Sequence, residues 1–174
     1  LALKSPKFIE VLAKEFVGGH LKVAPEHFCP GVLTLMGKPD FKVYEKFEKK
    51  FENSSKKAGK KQYLVPYFIT SHPGCSVDDA LELTEYLVKR KLRLRQVQDF
   101  TPVPLTLSTA MYVSARNAKG QKIHIPKGQS EKKLQQALIQ YFLPKNRRTL
   151  TKFLKSRKRF DLLKKINSLQ IRRK

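Results

Sequence analysis

At 174 residues, with 37 basic and 14 acidic side chains and a formal net charge of +23, the chain has the size of one domain with room for an appendage. Its charge favours phosphate-rich partners. A hydrophobic content of 40% excludes a wholly disordered chain, and no apolar run approaches the ~20 residues of a membrane span. The two cysteines, Cys29 and Cys75, exclude a disulfide framework and cannot alone ligate a structural zinc, so the expected compartment is the reducing cytoplasm.

The chain opens on Leu1-Ala2-Leu3 without a methionine, and the expectation is a piece of something longer. A first helix is expected over residues 6–16, capped by Ser5, with Phe8, Ile9, Leu12 and Phe16 on one face. Gly18-Gly19 ends it. Leu21-Lys22-Val23-Ala24 then reads as a strand that stops on Pro25, Glu26 and His27. A loop containing Pro30, Gly31 and Pro39 leads to a second helix near Asp40. Its stripe is Tyr44, Phe47 and Phe51, its last turns carry lysines, and Gly59 closes it. Tyr63-Leu64-Val65-Pro66-Tyr67-Phe68-Ile69 is almost continuously apolar. Such a run predicts a strand buried on both faces of a helix-covered parallel sheet, at the expense of one ladder donor at Pro66.

Ser76-Val77-Asp78-Asp79 reads as a capping arrangement for a third helix that buries Val77, Ala80, Leu81, Thr84, Leu87 and Val88. Gln96-Val97-Gln98-Asp99-Phe100 is a weaker third strand. Strands recurring roughly 35–40 residues apart with helices between them suit parallel pairing through crossovers. The strand endings at residues 25–27, 70–74 and 101–104 then converge on the face where parallel α/β folds gather function.

Beyond Thr106 the rhythm stops. Residues 107–128, with Tyr112-Val113 and Ile123-His124-Ile125-Pro126 about a turn at 117–120, are expected as a small β-hairpin. A helix over residues 130–142 follows, with Leu134, Ala137, Leu138 and Phe142 as its stripe and Pro144 as its stop. The basic tail reads as a helix or helical pair with Leu150, Phe153 and Leu154 on one side and Phe160 and Leu163 farther on.

Five blocks in order carry a family resemblance: His20-Leu21-Lys22-Val23-Ala24-Pro25-Glu26-His27; Val32 to Pro39; Lys61 to Phe68; Ser71-His72-Pro73-Gly74; and Gln96 to Phe100. Over roughly residues 17–143 the chain resembles the YgiQ-type radical SAM proteins. The resemblance implies an α/β fold, a partial (β/α) barrel of the radical SAM type. Residues 1–106 would be its later βα units, 107–143 a post-barrel extension and 144–174 a basic helical tail. It also implies S-adenosylmethionine and a 4Fe-4S cluster, at which reductive cleavage of the cofactor gives a 5′-deoxyadenosyl radical that attacks an unidentified substrate. The family holds its cluster with three cysteines spaced C-x-x-x-C-x-x-C. That spacing is absent here, and Cys29 and Cys75 cannot replace it. The expectation is a carboxyl-terminal fragment, inactive by itself, whose essential partner is the missing N-terminal half of the barrel. Leu105 also stands where related barrels often carry a glycine, which disfavours close backbone approach to a ligand there.

The resemblance assigns cofactor contacts to Glu26 (ribose or amino acid), to Ser71 and His72 in the turn after the second strand, and to Phe100 and Thr101 as an apolar wall with backbone groups for adenine. The plain alternatives are a Glu26–lysine pair, a structural turn at Gly74 and core packing of Phe100; no residue is assigned as general base. A zinc site could be assembled from His27, Cys29, His72 and Cys75, but ordinary loop roles are preferred for them. The basic tail suggests a second function, a non-enzymatic RNA-binding module. No RNA-recognition motif accompanies it, and Phe153 and Phe160 suit a packed stripe better than a stacking platform.

Overall fold

The computed structural model describes residues 2–171. Three strands run parallel in the order β1 (His20–Glu26), β2 (Tyr63–Thr70) and β3 (Gln98–Asp99). β1 continues through Pro25 to Glu26, two residues past the expected end. It does so by slipping register: the pairs run from Val23↔Pro66 to Glu26↔Phe68, so β1 uses one more residue than β2 there. A bulge at this point accommodates the missing proline donor.

The first helical stretch is α1 (Pro6–Val11), which passes into a π-helical turn over Leu12–Phe16 closed by Val17 N–H on Leu12 O at 3.1 Å. This turn resets the stripe. Ile9, Ala13 and Val17 are buried, whereas Phe8 and Phe16, expected on the apolar face, are exposed. The expected loop after His27 contains a short helix, α2 (Pro30–Leu35), with Pro30 in its first turn and the Thr34 hydroxyl donating to Pro30 O at 2.9 Å.

α3 (Phe41–Lys57) starts on an Asp40 cap, and α4 (Val77–Lys89) starts on a capping box in which Ser76 and Asp79 satisfy each other's backbone donors. Both helices pack on the sheet face that carries Leu21, Leu64 and Phe68. The other face of β2 is open, with Tyr63 50% and Val65 37% exposed, so the expectation of a strand buried on both faces is corrected. Strand burial alternates along β1 and along the first half of β2, as in a sheet covered on one side.

Residues 107–128 are not a hairpin. Thr106 caps a helix, α5 (Leu107–Ser114), by accepting from Thr109 N, and this places Tyr112 and Val113 in helix. The turn at 117–120 exists but is flanked by a single bridge, Arg116↔Lys122. α6 (Gln129–Ile139) ends three residues before Phe142, and Pro144 opens a 3-10 turn instead of merely stopping the helix.

The tail is the expected helical pair, α7 (Arg147–Ser156) and α8 (Phe160–Ile171). Leu150, Leu154, Leu162 and Ile166 enter the same core as Phe68, Leu83 and Leu138. Phe153 packs against that core, whereas Phe160 is 59% exposed and leaves the expected stripe. No helix among the described residues is long and apolar enough to cross a membrane.

Candidate functional site

Parallel strands bring their carboxyl ends to one edge, and Glu26, Ser71, His72, Phe100 and Thr101 stand there. The ends of β1 and β2 are both strained: Glu26 has φ 65° and Ser71 φ 60°, a left-handed conformation that costs a non-glycine residue about 1–3 kcal/mol and clusters at functional edges. The Glu26 carboxylate meets Lys38 Nζ at 3.0 Å, the lysine pairing that its loop position allowed. A carboxylate has two oxygens, so this pair leaves acceptor capacity in hand.

His72 is buried at 3% exposure. Its Nδ1 lies 2.8 Å from Pro73 O and its Nε2 2.8 Å from Ser108 Oγ. These partners assign the proton to Nδ1, so that Ser108 donates to Nε2. Burial lowers the imidazole pKa against the opposing pull of the Pro73 carbonyl and the Glu26 carboxylate. The ring stands edge-on to Phe100 with centroids 5.2 Å apart, and Phe100 leans on Tyr112 at 5.7 Å. Phe100 N–H donates to Thr70 O at 2.8 Å, which continues the β2–β3 pairing by one residue. Thr101 is exposed, its hydroxyl directed to Asp99 O at 3.4 Å. Glu26, Phe100 and Thr101 are therefore accessible from solvent. Ser71 and His72 form the wall behind them.

That wall is braced by residues the sequence reading passed over. Gln135 on α6 is fully buried. Its Oε1 accepts from Ser71 N–H at 2.9 Å and its Nε2 donates to Cys75 O at 3.1 Å. The Cys75 thiol lies 3.4 Å from Gln135 Oε1 and 3.5 Å from His27 Nε2, while His27 Nδ1 accepts from Cys29 N–H at 3.1 Å. A directional chain satisfies all of these: His27 Nε2–H donates to Cys75 Sγ, whose S–H donates to Gln135. Lys132 adds a bond to Asp99 at 3.2 Å, and the Gly74 amide donates to His124 O at 2.7 Å. The one sequence sign of Gln135 was a polar residue beside Leu134 on the helix that buries Leu138; Ser108 and Tyr112 were hidden by the mistaken hairpin.

Burial pushes the Cys75 thiol up to about 12 and raises Cys29 too, the latter helped by its contacts with Glu82 and Asp79. Neither is poised as a thiolate ligand. Among the described residues no group of three or more His, Cys, Asp or Glu is placed to hold a metal ion. The rim presents one carboxylate, an aromatic face and a backbone braced from behind by Gln135.

Residues 95–168 match the family described as a domain of unknown function, DUF3362. The chain is 42% identical over 164 residues to a UPF0313 protein of Methanocella arvoryzae, covering 94% of the chain and 27% of that protein. It is 44% identical over 154 residues to a UPF0313 protein of Geobacter sulfurreducens, covering 88% and 26%. With the UPF0313 protein YgiQ of Escherichia coli it shares 43% identity over 152 residues, covering 84% and 21%. No solved structure matches the chain. Over most of its length, then, the chain is similar to UPF0313 proteins, YgiQ among them, and it spans about a quarter of the length of these curated relatives.

Proposed function

We propose that the chain forms the later sector of a radical SAM (β/α) barrel together with its post-barrel extension. In this reading the longer protein cleaves S-adenosylmethionine reductively at a 4Fe-4S cluster. One observation carries it: the strands follow chain order β1-β2-β3 in parallel with their helices on one face, leaving the other open. A doubly wound sheet puts helices on both faces, whereas a barrel sector puts them outside only. The similarity to YgiQ supports the same reading.

The residues of this chain do not fit the cluster. Two protonated, buried thiols engaged in hydrogen bonds are neither sufficient in number nor suitably ionised, so in this reading the cluster would be held by residues outside the chain. S-adenosylmethionine suits the rim better. Bound there, it would supply the sulfonium whose reductive cleavage starts radical chemistry. Glu26 accepts from an ammonium or from ribose hydroxyls, and Phe100 and Thr101 offer an aromatic wall and backbone groups to a base. Ser71 and His72 hold that edge in place, since their side chains are buried.

The test uses the longer protein that contains this chain. Anaerobic protein with a reconstituted cluster, S-adenosylmethionine and dithionite should release 5′-deoxyadenosine; an intact cluster without that product overturns the reading. Glu26→Gln should weaken S-adenosylmethionine binding about 10- to 100-fold, the worth of a charge-assisted hydrogen bond. The cluster's visible absorption should not change. Unaltered affinity in equilibrium dialysis removes Glu26 from the site.

A further inference from the structure

The 144–155 segment carries more positive charge than its fold uses. Lys145, Arg147, Arg148, Lys152 and Lys155 are all exposed, and with Pro144 and Thr151 they line an open groove of about 620 Å³ that no acidic side chain enters. None of the five takes part in an ion pair among the described residues. Two arginines just beyond it behave differently: Arg157 pairs with Asp78 at 3.4 Å, and Arg159 with both Glu85 and Asp161. Those two are paired, and the five groove cations are left bare.

That bare stripe works against its own helix. Arg147 and Arg148 occupy the first turn of α7, at the positive end of the helix dipole, with no acid there to offset them. Arg148 and Lys152 repel at i,i+4 and Lys152 and Lys155 at i,i+3. An arrangement that weakens the isolated helix and gains no partner in the fold is accounted for by a polyanion outside it.

We propose that the α7 groove binds the phosphate backbone of a nucleic acid. Arginine forks match phosphate oxygens in bidentate fashion, and lysines add point charge. The ten residues of α7 span about 15 Å, the reach of a few phosphates, which each strand of a duplex presents about every 3.4 Å of helix axis. A membrane surface fits less well because the apolar side of α7, Leu150 and Leu154, is already buried in the core. A protein partner fits less well because the groove offers neither the aromatic anchors nor the charge-poor centre of a protein interface.

Fluorescence anisotropy with labelled single-stranded RNA and DNA of about 20 nucleotides and the matching duplexes tests this on the whole 174-residue chain. The Arg148→Gln/Lys152→Gln/Lys155→Gln variant should bind at least about tenfold more weakly at 0.1 M salt. Its log–log salt slope should fall by about 2, the share of three single-strand phosphates. Because like-charge repulsion is removed, its melting temperature should match or exceed that of the parent. If it melts lower, the double variant Arg148→Gln/Lys152→Gln is read in its place. Lys46→Gln/Lys49→Gln/Lys50→Gln on α3 removes the same charge elsewhere and should leave affinity within about twofold. Equal losses in the two triple variants overturn the proposal, since binding would then follow net charge alone. So does competition by polyglutamate or anionic vesicles at concentrations where nucleic acid competes, which would assign the groove to an acidic protein or a lipid surface.

Discussion

Gly74 shows how tightly single positions at the rim are determined. It has φ +86°, and a Cβ there would overlap the Cδ1 of Leu35 on α2. The leucine tip can move, so most of the penalty for Gly74→Ala lies in the left-handed backbone, about 1–2 kcal/mol in urea unfolding. Leu35→Ala in the same background should relieve the steric share and leave the backbone share; complete rescue would mean that φ is not the constraint. His27 makes a second prediction. Fully buried, its imidazole is lowered to about 4 mainly by desolvation, with Asp79 opposing and His72 reinforcing. The unfolded chain, titrating near 6.5, therefore binds the proton more readily than the folded one. The stability that depends on neutral His27 is complete above about pH 6.5 and is lost as pH falls toward 4, by about 3 kcal/mol in all. Burial of His72 pushes in the same direction. Urea midpoints at pH 7 and pH 4.5 should fall further apart in the parent chain than in His27→Gln; identical slopes would assign the acid sensitivity to the carboxylates.

At the scale of elements, α6 serves as the brace of the β2 ending. Gln135→Leu removes the acceptor of Ser71 N–H and the donor to Cys75 O together. Leaving two buried backbone groups unsatisfied costs about 2–4 kcal/mol. Hydrogen exchange at the Ser71 amide should accelerate more than at the amides of α3, while Gln136→Leu on the exposed side of α6 should alter neither; a protected Ser71 amide in Gln135→Leu would show another partner at work. Elements with local signals were legible in the sequence. α3 and α4 announced themselves by cap and stripe, β2 by its apolar run, and the shared rim by helix–strand alternation. α2 was missed because Gly31 and a six-residue length leave too little periodicity. α5 was missed because β-prone Tyr112 and Val113 outweighed the Thr106 cap. The exposed Phe8 and Phe16 follow from a π turn that no 3.6-residue stripe anticipates. At the rim, Glu26 and Phe100 could be placed from strand ends alone. The brace of Ser108 and Gln135 could not, since it joins residues more than thirty positions apart through tertiary contacts with no local pattern, and Tyr112, which meets Phe100 from α5, was hidden by its strand-like sequence.

For the whole molecule, the one-sided sheet is the feature with the widest consequence. Tyr63 and Val65 are solvated on the face opposite the helices, although β-branched and aromatic residues on a parallel strand are normally covered. If this sheet is a barrel sector, that face becomes interior once the preceding strands are present. Val65→Cys reads it directly. The two native thiols are 3% and 1% exposed and their pKa values are raised by burial, so they react slowly with maleimide. In the 174-residue chain the thiol at position 65 should label as readily as one introduced by Lys50→Cys on the solvent side of α3. In the longer protein it should be protected at least about tenfold while the α3 thiol stays reactive, since an opening step must then precede its exposure. Equal labelling at position 65 in both proteins would mean that nothing closes over the sheet, and the barrel assignment would lose the geometry it rests on. Protection at both positions would place a partner over the helices instead, which a (β/α) barrel keeps on its outside.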